Sequence, residues 1–400
     1  MQQSWLTRQR GQRLQSNFQV INVTPQPATT LPAASKDKLY GLDHLRTLAI
    51  LLVFIYHYGL FSHPEWTDTV GKFGWTGVDL FFVLSGYLIA SQLFLQIEVY
   101  KGILLKQFFT KRFFRILPAY FTVVAIYFLF PYVHEREALA PLWKYLTFTQ
   151  NIGLDLRTQG TFSHAWSLCI EEQFYLLLPL ILSAMVYYNI IRKGYWLLIA
   201  LFVTGFLVRL YCYQVLVLPY SESQAFGVLW YKRIYYPTFC RLDGLLTGVA
   251  IAAFLQYRPI QGKQILRYGN VLLLLGIVIL TGSYLICLEE QSFEASVFGF
   301  PLVSMGYGML VLGALSPFSI LYRYRSHVTT RIAALSYGIY LVHKFIIHIV
   351  QDQLEEFDVD ADSNLMLFVC VFTVLLGAWI LNKSVEKPFL KLRDKVLRSL

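Results

Sequence analysis

Two ionisable side chains lie on one apolar segment near the start of the chain. Arg46 and His57 belong to LRTLAILLVFIYHY, residues 45–58. Their spacing is close to three turns of an α-helix, so both share one face, about 16 Å apart along the axis. Snorkelling to the lipid headgroups would explain Arg46 alone. It leaves His57 unexplained, and an intramembrane imidazole that can act as a general base is a candidate catalytic residue.

Carboxylates occur at the predicted outer ends of two further apolar segments. Asp79 lies in GVDLFFVLSGYLIA at a depth near that of His57, where it could orient the imidazole, so we predict a catalytic role. An acid that stabilises the helix dipole would look the same. Glu171 and Glu172 are adjacent in HAWSLCIEEQFYLLLP, about 100° apart on a helix, so only one should face the bundle interior. Two flanking aromatic residues are substrate-binding candidates: Trp166 and Tyr175.

A pair of arginines marks the start of the third apolar segment. Arg112 and Arg115 in KQFFTKRFFRILPAYF are three residues apart and therefore share a helix face. Cations that stop membrane translocation would look similar. Together with Arg46, however, the pair would make a good clamp for phosphate groups at the cytoplasmic surface.

Two later segments carry polar residues that could line the same site. CRLDGLLTGVAIA puts Arg241 and Asp243 at the outer start of the sixth segment. LSYGIYLVHKFIIH puts His343 in the outer half of the ninth. His343 is either a core histidine with satisfied hydrogen bonds or a cavity-lining group, and the sequence leaves both open. We take Arg241 and His343 as further substrate-binding candidates.

One motif competes with this interpretation. His63 and Asp68 match H-x-x-x-x-D, a spacing used for catalytic His–Asp pairs. Pro64 follows the histidine directly, the segment is a short outer loop, and no glycine-containing phosphate-binding motif follows it. Coincidence is the better explanation of the match.

The composition is that of a membrane protein. Of the 400 residues, 56% are hydrophobic and 14% are charged, whereas soluble domains are about a quarter charged. The net charge of +10 is attributed to loops that face anionic lipid, so no nucleic-acid partner is predicted. The five cysteines have neither zinc-binding nor disulfide spacing, and we predict no metal site and no disulfide framework.

Apolar runs long enough to cross a hydrocarbon core of about 30 Å recur along the chain. They do not alternate with period two, and open sheet edges cannot face lipid, so helices are predicted. The predicted fold is an all-α, polytopic integral membrane bundle. Its ten segments are 45–61, 77–95, 113–133, 174–191, 196–217, 239–256, 269–288, 297–315, 333–350 and 364–382.

The distribution of cations predicts the orientation of the bundle. If the N-terminus is cytoplasmic, the segments on the cytoplasmic side contain 24 of the 34 lysines and arginines. Both termini are therefore predicted to be cytoplasmic. We expect a flexible polar tail at 1–40, a membrane domain at 41–390 and a basic cytoplasmic tail at 391–400.

Seven features in this order resemble the membrane-bound acyltransferase-3 family, which O-acylates surface carbohydrates. They are the Arg46–His57 spacing, GVDLFFVLSGYL, KRFFRILPAY, WSLCIEEQFYLLLP, RLDGLLTGVAIA, SYGIYLVH and VEKPF. The resemblance implies a multi-pass protein of the bacterial inner membrane. It also implies transfer of an acyl group, by default acetyl, from cytoplasmic acyl-CoA to a hydroxyl of a carbohydrate or glycolipid outside.

The resemblance also implies roles for individual residues. His57 would be the catalytic histidine, acting as general base, with Arg46 as its motif partner. Arg112 and Arg115 would bind acyl-CoA, which is a co-substrate, and no tightly bound cofactor is implied. Glu172 would be the leading candidate for a catalytic carboxylate, and we expect a buried carboxylate near His57. Direct transfer and an acyl-histidine relay both stay open.

The alternative function is a secondary transporter or flippase without acyl-transfer chemistry, since intramembrane charges and ten spans suit it too. Against it, the charges group into one histidine-centred site and one arginine-rich site, and neither half of the chain repeats the other. No pattern in the sequence specifies the acceptor, the acyl length, partner proteins or the oligomeric state.

Overall fold

Helices are the regular elements of the described part of the chain. The computed structural model describes residues 39–399, so nearly all of the predicted N-terminal tail at 1–40 lies outside the described residues. No strand occurs within residues 39–399. The ten long helices are α1 (Tyr40–Tyr58), α2 (Gly77–Tyr100), α3 (Leu105–Leu129), α4 (Trp166–Tyr187), α5 (Gly194–Tyr211), α6 (Asp243–Tyr257), α7 (Gly269–Ile286), α8 (Phe300–Leu315), α9 (His327–Glu355) and α10 (Asn364–Leu381).

The all-α prediction is confirmed, and each of the ten predicted segments overlaps one of these helices. Eight helical segments, which contain α2 to α5 and α7 to α10, are long and apolar enough to cross a membrane. The other two differ for identifiable reasons: α1 carries several polar side chains, and α6 has only 15 residues. The chain is therefore a multi-pass membrane protein.

Helices α2 and α6 approach each other closely because glycines line their contact. A Cβ atom at Gly86 would lie 2.1 Å from the carbonyl oxygen of Leu245, and one at Gly244 would lie 3.0 Å from that of Asp79. Without a hydrophobic driving force between helices in lipid, small residues permit the close packing that holds them together. The contact brings the first turn of α6 against the first three turns of α2, which include Asp79.

Helix α5 faces outward along most of its length. Leu207 and Val203 are more than half exposed, as expected for side chains that face lipid. Arg209 is the only buried residue of the helix. Its guanidinium Nη2 donates to Asp243 of α6 at 3.1 Å, which satisfies a charge that hydrocarbon would not tolerate alone.

The helices of the C-terminal part begin and end at recognisable signals. Ser326 and Ser363 are N-caps whose hydroxyl oxygens accept from the third following backbone N–H at the starts of α9 and α10. After α10, one π-helical turn leads into the amphipathic helix α11 (Lys387–Arg398), which contains most of the basic segment predicted at 391–400. Glu386, at the end of that turn, pairs with Arg115 of α3 at 3.4 Å.

The H-x-x-x-x-D residues contact each other in a loop at the end of α1. Nε2 of His63 lies 2.8 Å from an Asp68 carboxylate oxygen, and Nδ1 lies 2.6 Å from the carbonyl oxygen of Phe61. Since both acceptors need a proton from the ring, the arrangement favours an imidazolium with no free lone pair. The His63–Asp68 pair therefore stabilises the loop, and His63 offers no free lone pair to act as a catalytic base.

This loop predicts a small pH dependence of stability. The Phe61 carbonyl and then the Asp68 carboxylate raise the pKa of His63 above its ordinary value. A raised pKa stabilises the fold below about pH 6.5 and loses this effect as pH rises through the raised value. Because Asp68 is 71% exposed, the gain should stay below about 1 kcal/mol. The melting temperature of wild type minus that of His63→Ala should be larger at about pH 5.5 than at about pH 8.5; the reverse order would contradict the assignment.

Candidate active site

A cavity of about 240 Å³ lies beside the C-terminal half of α1, and we call it the histidine cavity. His57 and His164 line it, together with the cations Arg136 and Lys344. Half of the remaining lining residues are aromatic, which suits a ligand that combines apolar faces with hydroxyl groups. The aromatic lining residues are Tyr56, Trp75, Trp166, Tyr231, Tyr235 and Tyr236.

Three imidazoles from three different helical segments cluster at this cavity. The ring centroids of His57 and His343 are 4.9 Å apart, and those of His164 and His343 are 4.8 Å apart. The third pair, His57 and His164, is 5.7 Å apart. All three side chains are at most 9% exposed. Hydrogen bonds to protein groups therefore determine which ring nitrogens carry a hydrogen.

The hydrogen bonds of the cluster fix which nitrogen of His57 is free. Nδ1 of His343 lies 2.8 Å from the carbonyl oxygen of Tyr340, and a carbonyl can only accept, so this nitrogen carries a hydrogen. In neutral His343 the other nitrogen, Nε2, is then an acceptor. It lies 3.0 Å from Nδ1 of His57, which must donate. Neutral His57 therefore keeps its lone pair on Nε2.

A buried ion pair borders the histidine cluster. Nζ of Lys344, the residue after His343, lies 3.1 Å from a Glu135 carboxylate oxygen, and both side chains are at most 4% exposed. Lys344 also lines the histidine cavity. Lys344 therefore brings one end of this ion pair to the wall of the histidine cavity.

A second cavity of about 220 Å³, which we call the arginine cavity, lies beside the N-terminal half of α1. The guanidinium of Arg112 lies over the ring of Tyr175, 5.2 Å from its centroid. Glu171 accepts hydrogen bonds at 3.0 Å from Ser85 and from Tyr175. The charged lining residues of the cavity are Arg46, Arg112, Arg115, Glu171 and Glu172.

The two cavities are neighbours along α1. Val78, in the first turn of α2, lines both of them. Ser167 and Tyr340 line the arginine cavity and share a hydrogen bond of 2.6 Å between their hydroxyls. The carbonyl of Tyr340 is also the acceptor that fixes the tautomer of His343. One residue, Tyr340, therefore connects the polar groups of the two cavities, through its hydroxyl on one side and its backbone carbonyl on the other.

Comparison with known proteins identifies the family of the chain that forms these two cavities. A family model described as an acyltransferase domain matches residues 39–383. The chain belongs to the acyltransferase-3 family.

Curated relatives of this acyltransferase domain are longer proteins. A peptidoglycan O-acetyltransferase OatA of Listeria monocytogenes is 29% identical over 342 residues, which is 80% of this chain and 51% of the relative. An O-acetyltransferase OatA of Staphylococcus aureus is 27% identical over 381 residues, 88% of this chain and 57% of the relative. The chain thus spans about half the length of the curated relatives it matches. No solved structure matches significantly.

The acyltransferase domain brings most of the predicted site residues to the two cavities. His57 and Trp166 line the histidine cavity, and His343 contacts His57 directly. The predicted arginines and Tyr175 line the arginine cavity. Glu172 does so as well, so it lies with the arginines rather than among the groups lining the histidine cavity. Glu171 also lines it, and the expectation that only one of the two acids faces inward is wrong.

Asp79 has a different partner from the one predicted. Its two carboxylate oxygens accept from Nη2 of Arg241 at 3.0 and 3.1 Å, and no hydrogen bond joins it to His57. The guanidinium of Arg241 is buried among aromatic rings, 4.0 Å from the Phe300 centroid and 4.6 Å from that of Tyr235. Asp79 and Arg241 therefore neutralise each other behind the aromatic residues that line the histidine cavity. No contact among the described residues supports a catalytic role for Asp79 or a substrate-binding role for Arg241.

His164 is the site residue that sequence reasoning missed. It lies in HAWSLCIEEQFYLLLP, immediately before α4, and is 2% exposed. Its Nε2 lies 3.1 Å from the carbonyl oxygen of Tyr340, while its Nδ1 has no hydrogen-bond partner within residues 39–399. The signal was available, because a histidine that opens an apolar helix is as unusual as His57 at the end of one.

Proposed function

We propose that the chain is an acyl-CoA-dependent O-acyltransferase. It would take an acyl group, acetyl by default, from the cytoplasm and pass it to a hydroxyl of a carbohydrate or glycolipid at the outer face. The observation that carries the proposal is the free Nε2 lone pair of His57 in a cavity that adjoins a cluster of three arginines. The Listeria relative is named for peptidoglycan, so a cell-wall glycan is the first acceptor to test.

The arginine cavity suits the phosphate end of acyl-CoA. Arg46, Arg112 and Arg115 supply three guanidiniums, whose planar forks match phosphate oxygens. Glu171 and Glu172 line another part of the wall, where they offer no guanidinium to hold a phosphate. The phosphates are therefore expected at the arginines, and the uncharged pantetheine arm would run past the carboxylates and Val78 towards His57.

His57 would act as a general base in direct transfer. Its Nε2 takes the proton of the acceptor hydroxyl as that oxygen attacks the thioester carbon. The carbon–sulfur bond then breaks, and the imidazolium returns the proton to the departing CoA thiolate, so atoms and charge balance. The hydrogen bond from Nδ1 of His57 to His343 holds the ring in the tautomer that this step needs.

The proposed location is the bacterial plasma membrane, with both termini in the cytoplasm. The cation distribution supports this orientation, because loops rich in lysine and arginine stay on the cytoplasmic side. In that orientation Arg46 lies nearer the cytoplasm, from which the acyl-CoA donor would enter. His57 lies nearer the outside, from which the carbohydrate acceptor would enter.

The direct test is an assay of the purified full chain in lipid vesicles with acetyl-CoA and soluble peptidoglycan fragments. Release of free CoA together with an acetylated glycan, detected by mass spectrometry, is the expected result. Movement of a glycan across the vesicle membrane without consumption of acetyl-CoA would instead favour a transporter. Succinyl-CoA in a parallel reaction tests the acyl group, since both donors share the CoA part that the arginines would bind.

His343 should behave as a positioning residue for His57. In His343→Ala the donor Nδ1–H of His57 loses its buried acceptor, which costs about 1–3 kcal/mol, so kcat should fall roughly 5- to 150-fold. The KM for acyl-CoA should not change, because His343 does not line the arginine cavity. His348→Ala, five residues further along α9 and outside both cavity walls, is the matched control and should keep full activity. A change confined to KM would contradict the positioning role.

A further inference from the structure

A third cavity, which the proposed reaction does not use, lies between α4, α5 and α6. Its volume is about 1,070 Å³, larger than the histidine and arginine cavities together. It shares no lining residue with either of them, because α4 separates it from the arginine cavity. Most of its wall consists of aliphatic and phenylalanine side chains, for example Phe174, Leu178, Leu182, Leu246 and Val249.

Polar groups at one end of this cavity are already satisfied. Thr238 donates its hydroxyl hydrogen to the side-chain oxygen of Gln173. The amide of Gln173 donates in turn to the carbonyl oxygen of Phe148 at 2.7 Å and to Asn151 at 3.1 Å. This end therefore needs no polar ligand.

The opposite end carries two unpaired cations. Arg192, between α4 and α5, and Arg258, directly after α6, both line the cavity and are exposed. Neither forms an ion pair with another described residue of the chain. Two guanidiniums at the mouth of an apolar cavity match an anionic group attached to hydrocarbon, and arginine is the side chain best suited to phosphate.

The cavity is long enough to hold the acyl chains of one lipid leaflet. Its wall on α6 runs from Leu242 to Tyr257, which at 1.5 Å per residue is about 22 Å. One leaflet contributes about half of a hydrocarbon core of roughly 30 Å. A lipid whose headgroup lies at the arginines would therefore have its acyl chains inside the cavity over their whole length. A soluble phosphate compound would leave the apolar wall uncovered.

We propose that this cavity binds one anionic phospholipid, with its phosphate on Arg192 and Arg258 and its acyl chains between α4, α5 and α6. The lipid belongs to the leaflet at the Arg192 end, which the cation distribution assigns to the cytoplasmic side. Its chains pack against the face of α4 opposite Glu171 and Glu172, so the lipid supports the helix that carries both acids.

Native mass spectrometry of the purified full chain, first delipidated in detergent, tests the site. Phosphatidylglycerol that is then added to the delipidated protein should bind as one molecule per chain. Phosphatidylcholine added at the same concentration should not bind. The double variant Arg192→Ala/Arg258→Ala should bind phosphatidylglycerol at least about tenfold more weakly, because two charge-assisted contacts are lost. Lys193→Ala is the matched control, since Lys193 is an exposed neighbouring cation that does not line the cavity, and it should bind as wild type does.

A second variant tests the apolar part of the site separately. Ala253→Phe places a large ring in the cavity, and it should reduce retention of phosphatidylglycerol while both arginines remain. Equal retention of the two lipids by wild type, or undiminished retention by the double arginine variant, would overturn the proposal. The measurement reads lipid binding alone, so its outcome does not depend on whether acyl transfer is observed.

Discussion

His57→Ala should lower the turnover of acyl transfer by about 10²- to 10⁴-fold, the contribution typical of a general base. The variant removes the Nε2 lone pair that the hydrogen bond with His343 leaves free in the histidine cavity. The KM for acyl-CoA should change little, because the arginine cavity is untouched. Release of CoA by purified protein in vesicles measures both constants, and the amount of protein in the membrane fraction monitors folding.

The matched control for this variant is His63→Ala. His63 follows α1 closely in sequence, but it lines neither cavity and both of its ring nitrogens are engaged. It should retain nearly full activity at neutral pH. Undiminished turnover in a folded His57→Ala protein would remove His57 from the reaction and with it the proposed mechanism.

Loss of Arg112 should raise the apparent KM for acyl-CoA by roughly tenfold or more and leave kcat nearly unchanged. A charge-assisted hydrogen bond to phosphate contributes about 1.5–3 kcal/mol, and 1.4 kcal/mol corresponds to a factor of ten in affinity. Arg112→Ala with Arg115→Ala should have the larger effect. Initial rates across a range of acyl-CoA concentrations separate the two constants.

The double variant needs a compensating change. Arg115 pairs with Glu386, which is 2% exposed, so removing the arginine alone leaves a buried carboxylate with no neighbouring positive charge among the described residues and only the hydrogen bond from Asn382. Glu386→Gln in the same protein removes that charge. Lys111→Ala is the control, because Lys111 is adjacent to Arg112 but does not line the arginine cavity. An increase only in the KM for the glycan acceptor would show that the arginines do not bind CoA.

The helices and the arginine cluster could be predicted because each rests on local sequence. Long apolar runs must become helices in lipid, and a spacing of three residues puts Arg112 and Arg115 on one face. Arg46 joins them because cations at the ends of helices gather on the cytoplasmic side. All three do line one cavity, although their roles as phosphate ligands stay predictions.

The partners of the buried charges could not be predicted, because they depend on how helices far apart in sequence pack. Asp79 and Arg241 are separated by 162 positions, and the glycine contact between α2 and α6 brings them together. The same holds for His343, whose Nε2 meets His57 across 286 positions. A helical period fixes the face on which a side chain lies, and it leaves open which helix that face meets.

The position of Val78 bears on whether protons could leak across the membrane through this protein. In the proposed orientation, a continuous water column from the arginines to the outer face would let protons run down the transmembrane potential, which drives each charge with about 2.3 kcal/mol per 100 mV. Val78 places an aliphatic side chain at the border of the two cavities, where it would disfavour a continuous column of water. In the proposed mechanism, an uncharged acyl thioester would cross this apolar border where hydrated ions are held back, so group transfer across the bilayer need not discharge the transmembrane potential.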